Sequence, residues 1–145
     1  MEFHLEDQST LHRFQSFEGE AVTVSGRLYT TSIVISPTEI LTDWPPKHVD
    51  ELQIDDFQMI LDLKPELAIV GTGVHQHFPS PRLFTMFMGA GVGIDFMNSR
   101  AACRTYNILA AEGRYIAAGI IVGGTNQENL AVKIVKIVMA STLAD

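Results

Sequence analysis

Residues 67–122 read LAIVGTGVHQHFPSPRLFTMFMGAGVGIDFMNSRAACRTYNILAAEGRYIAAGIIV, and the order of strand and helix signals in this stretch predicts the architecture of the chain. It contains three strand-length runs, at residues 67–70, 93–97 and 114–122, and the first of them is apolar throughout. An apolar run of this length, bounded by proline and glycine, is typical of a strand that is buried on both faces of a parallel sheet.

Two helices are predicted between these strands. Ser80 followed by Pro81 predicts a helix start, because serine is a favoured N-cap and proline lacks only an N–H that the first turn does not use. Asn98 and Ser99 are candidate N-caps for a longer helix over residues 100–112. Strand, helix, strand, helix, strand at this spacing predicts an α/β fold with right-handed parallel crossovers.

The part of the chain before this core is rich in β signals. Residues 22–24 (VTV) and 27–36 (RLYTTSIVIS) are β-type runs separated by Ser25-Gly26, so we predict a hairpin. A further short strand is predicted over residues 38–42. The acidic lead-in before residue 21 shows only weak patterning, and we predict no element there.

Two more helices are predicted outside the core. Asp55 can cap a first helix over residues 56–63, which Pro65 would end. Residues 125–128 (TNQE) match a capping box ahead of an apolar series, so we expect a C-terminal amphipathic helix. We therefore expect one α/β domain in residues 1–122, with residues 123–145 as a helical extension of the same domain.

Composition and charge exclude several classes of protein. The chain has 145 residues and a net charge of −7, which argues against binding to a nucleic-acid backbone. The charge is uneven, because residues 1–66 carry 13 acidic and 4 basic side chains, and residues 67–145 carry 4 acidic and 6 basic ones. No membrane span, secretory signal or transit peptide is evident, so we expect a cytoplasmic location.

Gly71-Thr72-Gly73 is the best-placed candidate for ligand binding. It follows a predicted strand directly, at the carboxyl edge where open α/β sheets bind ligands. Asn98, Ser99 and a helix N-terminus would join it if the two strands are neighbours, and a helix start attracts anions. The edge could hold a carboxylate or phosphate, or these residues could form tight turns whose caps satisfy themselves.

The helix over residues 100–112 carries a polar stripe. Arg100, Arg104 and Asn107 stand at i, i+4 and i+7, and the stripe is either a solvated face or a clamp for a carboxylate of a ligand or protein partner. Arg82 could join the two arginines. The opposite face, which we expect to pack on the sheet, consists of Ala101, Ala102, Thr105, Ile108 and Leu109.

Other residues that attract notice favour structural interpretations. The glycines of GAGVG, residues 89–93, follow a predicted helix and lead into a strand, which is the reverse of a dinucleotide fingerprint. His75 and His77 could supply two metal ligands, but no third Cys, His or acidic ligand is evident near them in the sequence, so we expect no metal site there. Cys103, the lone cysteine, lies in a helix beside a packing face and is expected to be buried rather than reactive. No catalytic motif appears, so we expect neither a catalytic residue, a cofactor nor a metal.

Four segments together resemble a known family. They are residues 32–37 (SIVISP), Trp44-Pro45, Gly71-Thr72-Gly73, and residues 97–114 (MNSRAACRTYNILAAEGR). The chain resembles, over roughly residues 22–122, the small α/β family of unknown function that includes mitochondrial complex I assembly factor three and an adipogenesis-associated vertebrate protein. Two features depart from it: Met97-Asn98-Ser99 stands where Met-Asp-Thr is frequent, and the chain continues past residue 122.

The resemblance implies a three-layer α/β fold around a mixed sheet, and a role through protein contacts. Since no transit sequence is evident, the organelle role is not transferred, and we expect a bacterial protein. We therefore expect a non-catalytic binding or assembly module that contacts a protein partner or self-associates. The alternative is a protein or enzyme that binds a small anionic metabolite at the edge formed by Gly71, Thr72, Gly73, Asn98, Ser99 and Arg104.

Overall fold

A five-stranded mixed sheet organises the chain in a computed structural model that describes residues 11–74 and 80–122, together with Val135, Val138 and Met139. In the described residues the strands are β1 (Phe14–Phe17), β2 (Val22–Val24), β3 (Arg27–Tyr29), β4 (Ile33–Ile35), β5 (Ile40–Leu41), β6 (Leu67–Gly71), β7 (Gly93–Met97) and β8 (Ile116–Ile120). The helices are α1 (Ile54–Leu61), α2 (Pro81–Gly89) and α3 (Ser99–Ala111), with a 3-10 turn at Val49–Glu51.

The large sheet has the strand order β5-β4-β8-β6-β7. β6 pairs in parallel with both β7 and β8, whereas β4 pairs antiparallel with β8 and with β5. Because β7 and β8 flank β6 on opposite sides, crossovers of one hand place α2 and α3 on opposite faces of the sheet. The predicted βαβαβ core and mixed sheet are thus confirmed.

The two faces of the large sheet bury separate apolar cores. On one face, Ile69 packs in the same cluster as Tyr106 of α3. On the other face, Val70 packs with Phe57 of α1 and Phe87 of α2. Alternate residues of β6 therefore enter opposite cores, as a strand buried on both faces requires. The three layers that the resemblance implied are α1 with α2, the large sheet, and α3.

A small antiparallel sheet, in the order β1-β2-β3, lies against α3. The predicted hairpin between β2 and β3 is confirmed, and Ser25 and Gly26 have φ of 52° and 80°, as its tight turn demands. The prediction that residues 27–36 form one run is wrong, because β3 and β4 belong to different sheets. β3 is mostly exposed, whereas Ile33–Ile35 is wholly buried as an inner strand of the large sheet.

The first helix begins earlier than predicted. α1 runs over Ile54–Leu61 instead of residues 56–63, and Gln53, not Asp55, is its N-cap. The carboxylate that serves the cap is that of Asp56, which accepts a hydrogen bond from the N–H of Gln53 at 2.8 Å. Of the neighbouring acids Asp55 and Asp56, the buried one, Asp56, completes the capping box with Gln53.

The predicted caps of the two core helices are confirmed. The hydroxyl of Ser80 accepts a hydrogen bond from the N–H of Arg82 at 3.3 Å, and the Asn98 side chain accepts one from the N–H of Ala101 at 2.8 Å. Of the predicted C-terminal helix, Val135, Val138 and Met139 are helical and more than half exposed. The capping box at residues 125–128 lies outside the described residues.

Candidate functional site

The carboxyl ends of β6 and β7 meet, as the sequence predicted for neighbouring strands. The N–H of Thr72 donates a hydrogen bond to the carbonyl of Met97 at 2.8 Å. The N–H of Ser99 donates one to the carbonyl of Gly73 at 2.7 Å. The Gly-Thr-Gly segment and the start of α3 therefore form one continuous junction.

The two hydroxyl groups of this junction are buried and hydrogen-bonded inside the protein. The Ser99 hydroxyl accepts a hydrogen bond from the N–H of Gly73 at 2.9 Å and donates one to the carbonyl of Ile121 at 2.8 Å. The Thr72 hydroxyl donates to the carbonyl of Met97 at 3.1 Å. Both side chains have no exposed surface. In this arrangement the hydroxyls join three strand ends to α3.

Gly71 allows α3 to approach the sheet closely. A Cβ at this position would lie 2.9 Å from both the Cα and the Oγ of Ser99, and 3.1 Å from the Cβ of Ala102. Since real Cβ contacts are longer than this, a side chain at residue 71 would push the helix away. Close packing of α3 on the sheet therefore explains the glycine at residue 71 without any ligand.

Arg104 does not join the other five candidate residues. Gly71, Thr72, Gly73, Asn98 and Ser99 come together at the junction, but Arg104 lies more than one turn further along α3, beside β1. Asn98 uses its side chain to cap the helix. Binding of an anion at the junction stays a prediction.

A groove lies between β1 and α3, and we call it the β1–α3 groove. It is open to solvent and has a volume of about 180 Å³. Its lining residues are Phe14, Gln15, Ser16, Phe17, Arg100, Cys103, Arg104 and Asn107. The lining therefore includes the whole polar stripe of α3. Among the described residues it contains two arginines and no acidic side chain.

Asn107 fastens β1 to α3. Its side-chain oxygen accepts a hydrogen bond from the N–H of Phe14 at 2.8 Å, and its side-chain nitrogen donates one to the carbonyl of Phe14 at 2.7 Å. β1 is an edge strand, so these two bonds occupy backbone groups that would otherwise be open to another strand. Asn107 is thus a structural clamp, and the sequence assigned it only to a polar stripe.

The two arginines of the groove have no acidic partner among the residues that the structure describes. The Arg100 guanidinium lies 5.6 Å from the centre of the Phe17 ring, a cation–π contact. In residues 11–74 and 80–122 the ion pairs join His48 with Asp50 and Arg114 with Glu66, and neither Arg100 nor Arg104 takes part. The guanidinium groups are exposed at the groove and available to a carboxylate.

The buried face of α3 differs from the predicted one. Ala102, Cys103 and Tyr106 face the core, whereas Ile108 is 60% exposed. The prediction is wrong because it placed the Asn107 side of α3 in solvent, whereas β1 covers that side of the helix. The face is rotated toward the small sheet, whose Phe14 packs edge-to-face on Tyr106 at 5.3 Å.

Cys103 is buried, as the sequence predicted. Desolvation raises the pKa of its thiol to about 12, although the nearby positive charge of Arg100 partly opposes this shift. A thiol with such a pKa stays protonated at neutral pH and is a poor nucleophile. Desolvation likewise raises the pKa of Tyr106, whose hydroxyl donates to the carbonyl of His12 at 2.9 Å.

The remaining sequence candidates have structural roles or lie outside the described residues. Gly89 ends α2 and Gly91 takes a φ of 73°, so GAGVG is a helix-ending turn, as expected. His75 and His77 lie outside the described residues. Within the described part of the chain, no group of three or more His, Cys, Asp or Glu side chains could hold a metal ion.

None of the helices in the described residues is both long and apolar enough to cross a membrane. The cytoplasmic location stays a prediction, because a protein can associate with a membrane without a spanning helix.

The fold and the junction place the chain in a class, the three-layer α/β domains with a β-hairpin subdomain packed on α3. Within that class, the chain belongs to the family described as protein of unknown function (DUF498/DUF598), whose model matches residues 14–121. The matched segment contains β1 and all the other strands and helices described above. The family resemblance stated from the sequence is confirmed.

Relatives with names fall in two groups. The chain is 33% identical over 96 residues to a Francisella tularensis protein named 13 kDa major membrane protein, covering 64% of this chain and 76% of that one. It is 22% identical over 117 residues to the Xenopus tropicalis NADH dehydrogenase (ubiquinone) 1 alpha subcomplex assembly factor 3, covering 79% of this chain. The match spans 63% of the length of the assembly factor.

A solved structure supports the fold. The chain is 34% identical to a protein of Xanthomonas campestris whose structure was solved by NMR, with a TM-score of 0.70. The match covers 78% of this chain and 86% of that chain. Sequence and backbone geometry therefore agree on the family.

Proposed function

We propose that this chain is an assembly-type module that acts by binding another protein and catalyses no reaction of its own. The observation that carries the proposal is the junction of β6, β7 and α3. In many α/β proteins this edge receives the ligand, whereas here the Ser99 and Thr72 hydroxyls are buried and bonded to the backbone.

Kinship with a named assembly factor supports the same interpretation. The exposed apolar residues add to it. Three large apolar side chains are at least 60% exposed: Leu28 on β3, Met88 on α2 and Ile108 on α3. Large apolar side chains at the surface are commonest where partners bind, although single ones also occur on ordinary surfaces.

Photocrosslinking in the native cells tests this proposal directly. A photoreactive amino acid at Ile108 samples the α3 face, and one at Met88 samples the opposite face of the sheet as a matched position of similar exposure. We expect one defined crosslinked product with a second protein from at least one of the two positions. No crosslinked product from either position would contradict the proposal.

The alternative is an anion-binding protein that uses the Gly-Thr-Gly junction, and the meeting of this segment with the α3 N-terminus favours it. A thermal-shift series with nucleotides, sugar phosphates and carboxylates separates the two functions. A ligand at a hundred times its dissociation constant should stabilise the protein by about 2.7 kcal/mol. We expect no such shift; a shift that disappears in Ser99→Ala would favour the anion-binding function.

A further inference from the structure

Arg100 and Arg104 form a matched pair of cationic groups on one face of α3. Residues four apart in a helix lie roughly 6 Å apart along the axis, so the two guanidinium groups point to the same side. Both line the β1–α3 groove and both are exposed. Two carboxylates at a similar separation could bind both arginines at once.

The groove is cationic in a protein that is acidic as a whole. The net charge is −7, yet among the residues that the structure describes no Asp or Glu lines the groove. In the described ranges, residues 11–74 and 80–122, no carboxylate forms an ion pair with either arginine. The positive charge of the groove is therefore not neutralised by any described residue, and it favours an external anion.

The groove is also ordered in advance of binding. The ring of Phe17 holds the Arg100 guanidinium at 5.6 Å, and Asn107 binds both backbone groups of Phe14. A partly ordered arginine loses less conformational freedom on binding than a free one. Because Asn107 occupies the backbone of β1 at Phe14, a partner meets side chains there and not an open strand edge.

We propose that the β1–α3 groove binds an acidic segment of a partner protein, with one carboxylate on Arg100 and a second on Arg104. The inference rests on the proposed function and names its surface and the chemistry of its partner. A suitable segment carries two acids about 6 Å apart, which acids at i and i+4 of a helix or at alternate positions of an extended chain provide. Arginine suits this task because its planar fork binds carboxylates in a bidentate manner.

A labelled peptide tests the proposal with a defined probe. The probe is a fluorescein-labelled 12-residue peptide of alternating Glu and Ser, and its control replaces every Glu with Gln. Binding is followed by fluorescence anisotropy at low ionic strength, where exposed charges are least screened. We expect the Glu peptide to bind, the Gln peptide not to bind, and the affinity to fall as salt is added.

Two double variants decide whether the groove is the site. Arg100→Gln/Arg104→Gln should weaken Glu-peptide binding by about tenfold, since it removes two exposed ion pairs. Arg27→Gln/Arg82→Gln makes the same change in net charge at exposed positions of β3 and α2, and should weaken binding by less than about twofold. Urea unfolding of both variants checks that each is folded.

Three outcomes would overturn the proposal. The first is that the Glu peptide does not bind, and the second is that both double variants bind it equally. The third is that citrate or inorganic phosphate displaces the peptide at an ionic strength at which sodium chloride does not. The last result would make the groove a small-anion site. A crosslinked partner at Ile108 or Met88 would still support the proposed function if the peptide failed, so the two proposals fail separately.

Discussion

Trp44 packs against the centre of the large sheet at the one position of β8 where a side chain would collide with it. A Cβ on Gly119 would lie 2.6 Å from the Cη2 of Trp44 and 2.9 Å from the Cδ1 of Ile60. The indole N–H donates a hydrogen bond to the carbonyl of Asp56 at 3.0 Å. The tryptophan thus links β8 to the start of α1, by packing on Gly119 and by its hydrogen bond to Asp56.

Gly119→Ala should destabilise the protein by about 1–3 kcal/mol, because the added methyl overpacks a filled core. Urea unfolding measures the change. Gly89→Ala is the matched control, since a Cβ there meets nothing within 4 Å, and we expect no loss of stability. Adding Trp44→Phe to Gly119→Ala should recover part of the loss; additive losses in the double variant would contradict the assigned contact.

Asn107→Leu should destabilise the protein by about 1–3 kcal/mol, because the N–H and carbonyl of Phe14 lose their partners. The matched control is Gln58→Leu, which removes an exposed amide on α1 and should change stability by less than about 0.5 kcal/mol. Equal midpoints for the two variants in urea would show that Asn107 does not hold β1.

Cys103 makes stability fall in alkaline solution. The folded-state pKa of the thiol is about 12 against an ordinary value of 9.0, so above pH 9.0 the unfolded chain releases a proton that the folded protein keeps. Stability from this group is fully present below 9.0 and declines by up to about 1.4 kcal/mol per pH unit above it. Tyr106, with a raised pKa, acts in the same direction at higher pH.

The measurement is urea unfolding of the wild type and Cys103→Ala between about pH 8 and pH 10. The wild type should lose more stability over this interval than the alanine variant, which has no thiol to ionise. Parallel losses in the two proteins would assign the alkaline sensitivity to other groups.

At the scale of elements, local signals predicted the core and the β2–β3 hairpin but missed β1. The strands β6 and β7 and the helices α2 and α3 agree with the sequence within one or two residues, because each is bounded by a cap, a proline or a glycine. β1 was not predicted, since it is four residues long, has an irregular register with β2, and is completed by the distant Asn107.

Lys64 ends the α1 segment in an unfavourable backbone conformation. Its φ is 55°, in the left-handed region, directly before Pro65. Lys64→Gly should therefore stabilise the protein by about 1 kcal/mol, because glycine adopts this conformation without a Cβ clash. Thermal unfolding measures the effect.

The matched control is Lys47→Gly, which removes the same charge at an exposed position without a positive φ. We expect this variant to be neutral or slightly destabilised, since glycine there only adds freedom to the unfolded chain. Stabilisation of both variants alike would point to the loss of charge and not to the backbone.

At the scale of the whole molecule, α3 joins the two sheets. Its Ala102 lies against Gly71 of the large sheet. Asn107 and Tyr106 hold the β1 region, Tyr106 through the His12 carbonyl. The same helix carries the start of the junction and both arginines of the groove. A change in α3 is therefore expected to affect both sheets together.

Residues 123–145 are expected to mediate self-association. Val135, Val138 and Met139 are helical and between 53% and 57% exposed, which leaves apolar surface in water. Sedimentation velocity should show the full chain as an oligomer and residues 1–122 as a folded monomer, because the described cores lie before residue 123. Met139→Asp in the full chain is a length-matched variant and should also be monomeric; a monomeric full chain would contradict this role.

Local sequence signals predicted the βαβαβ core, its helix caps and the family, because these depend on residues close together in the chain. The meeting of Gly71-Thr72-Gly73 with Asn98-Ser99 was predicted only on the condition that β6 and β7 are neighbours, which the strand order shows. Only the folded structure shows that the junction hydroxyls bond to the backbone and that Asn107 clamps β1. It also shows that Arg100 and Arg104 line a groove to which no described residue contributes a carboxylate. Asn107 and Phe14 are 93 residues apart, and no local pattern encodes a contact over that distance. The periodicity of a helix identifies which side chains share a face, but only packing determines what that face meets.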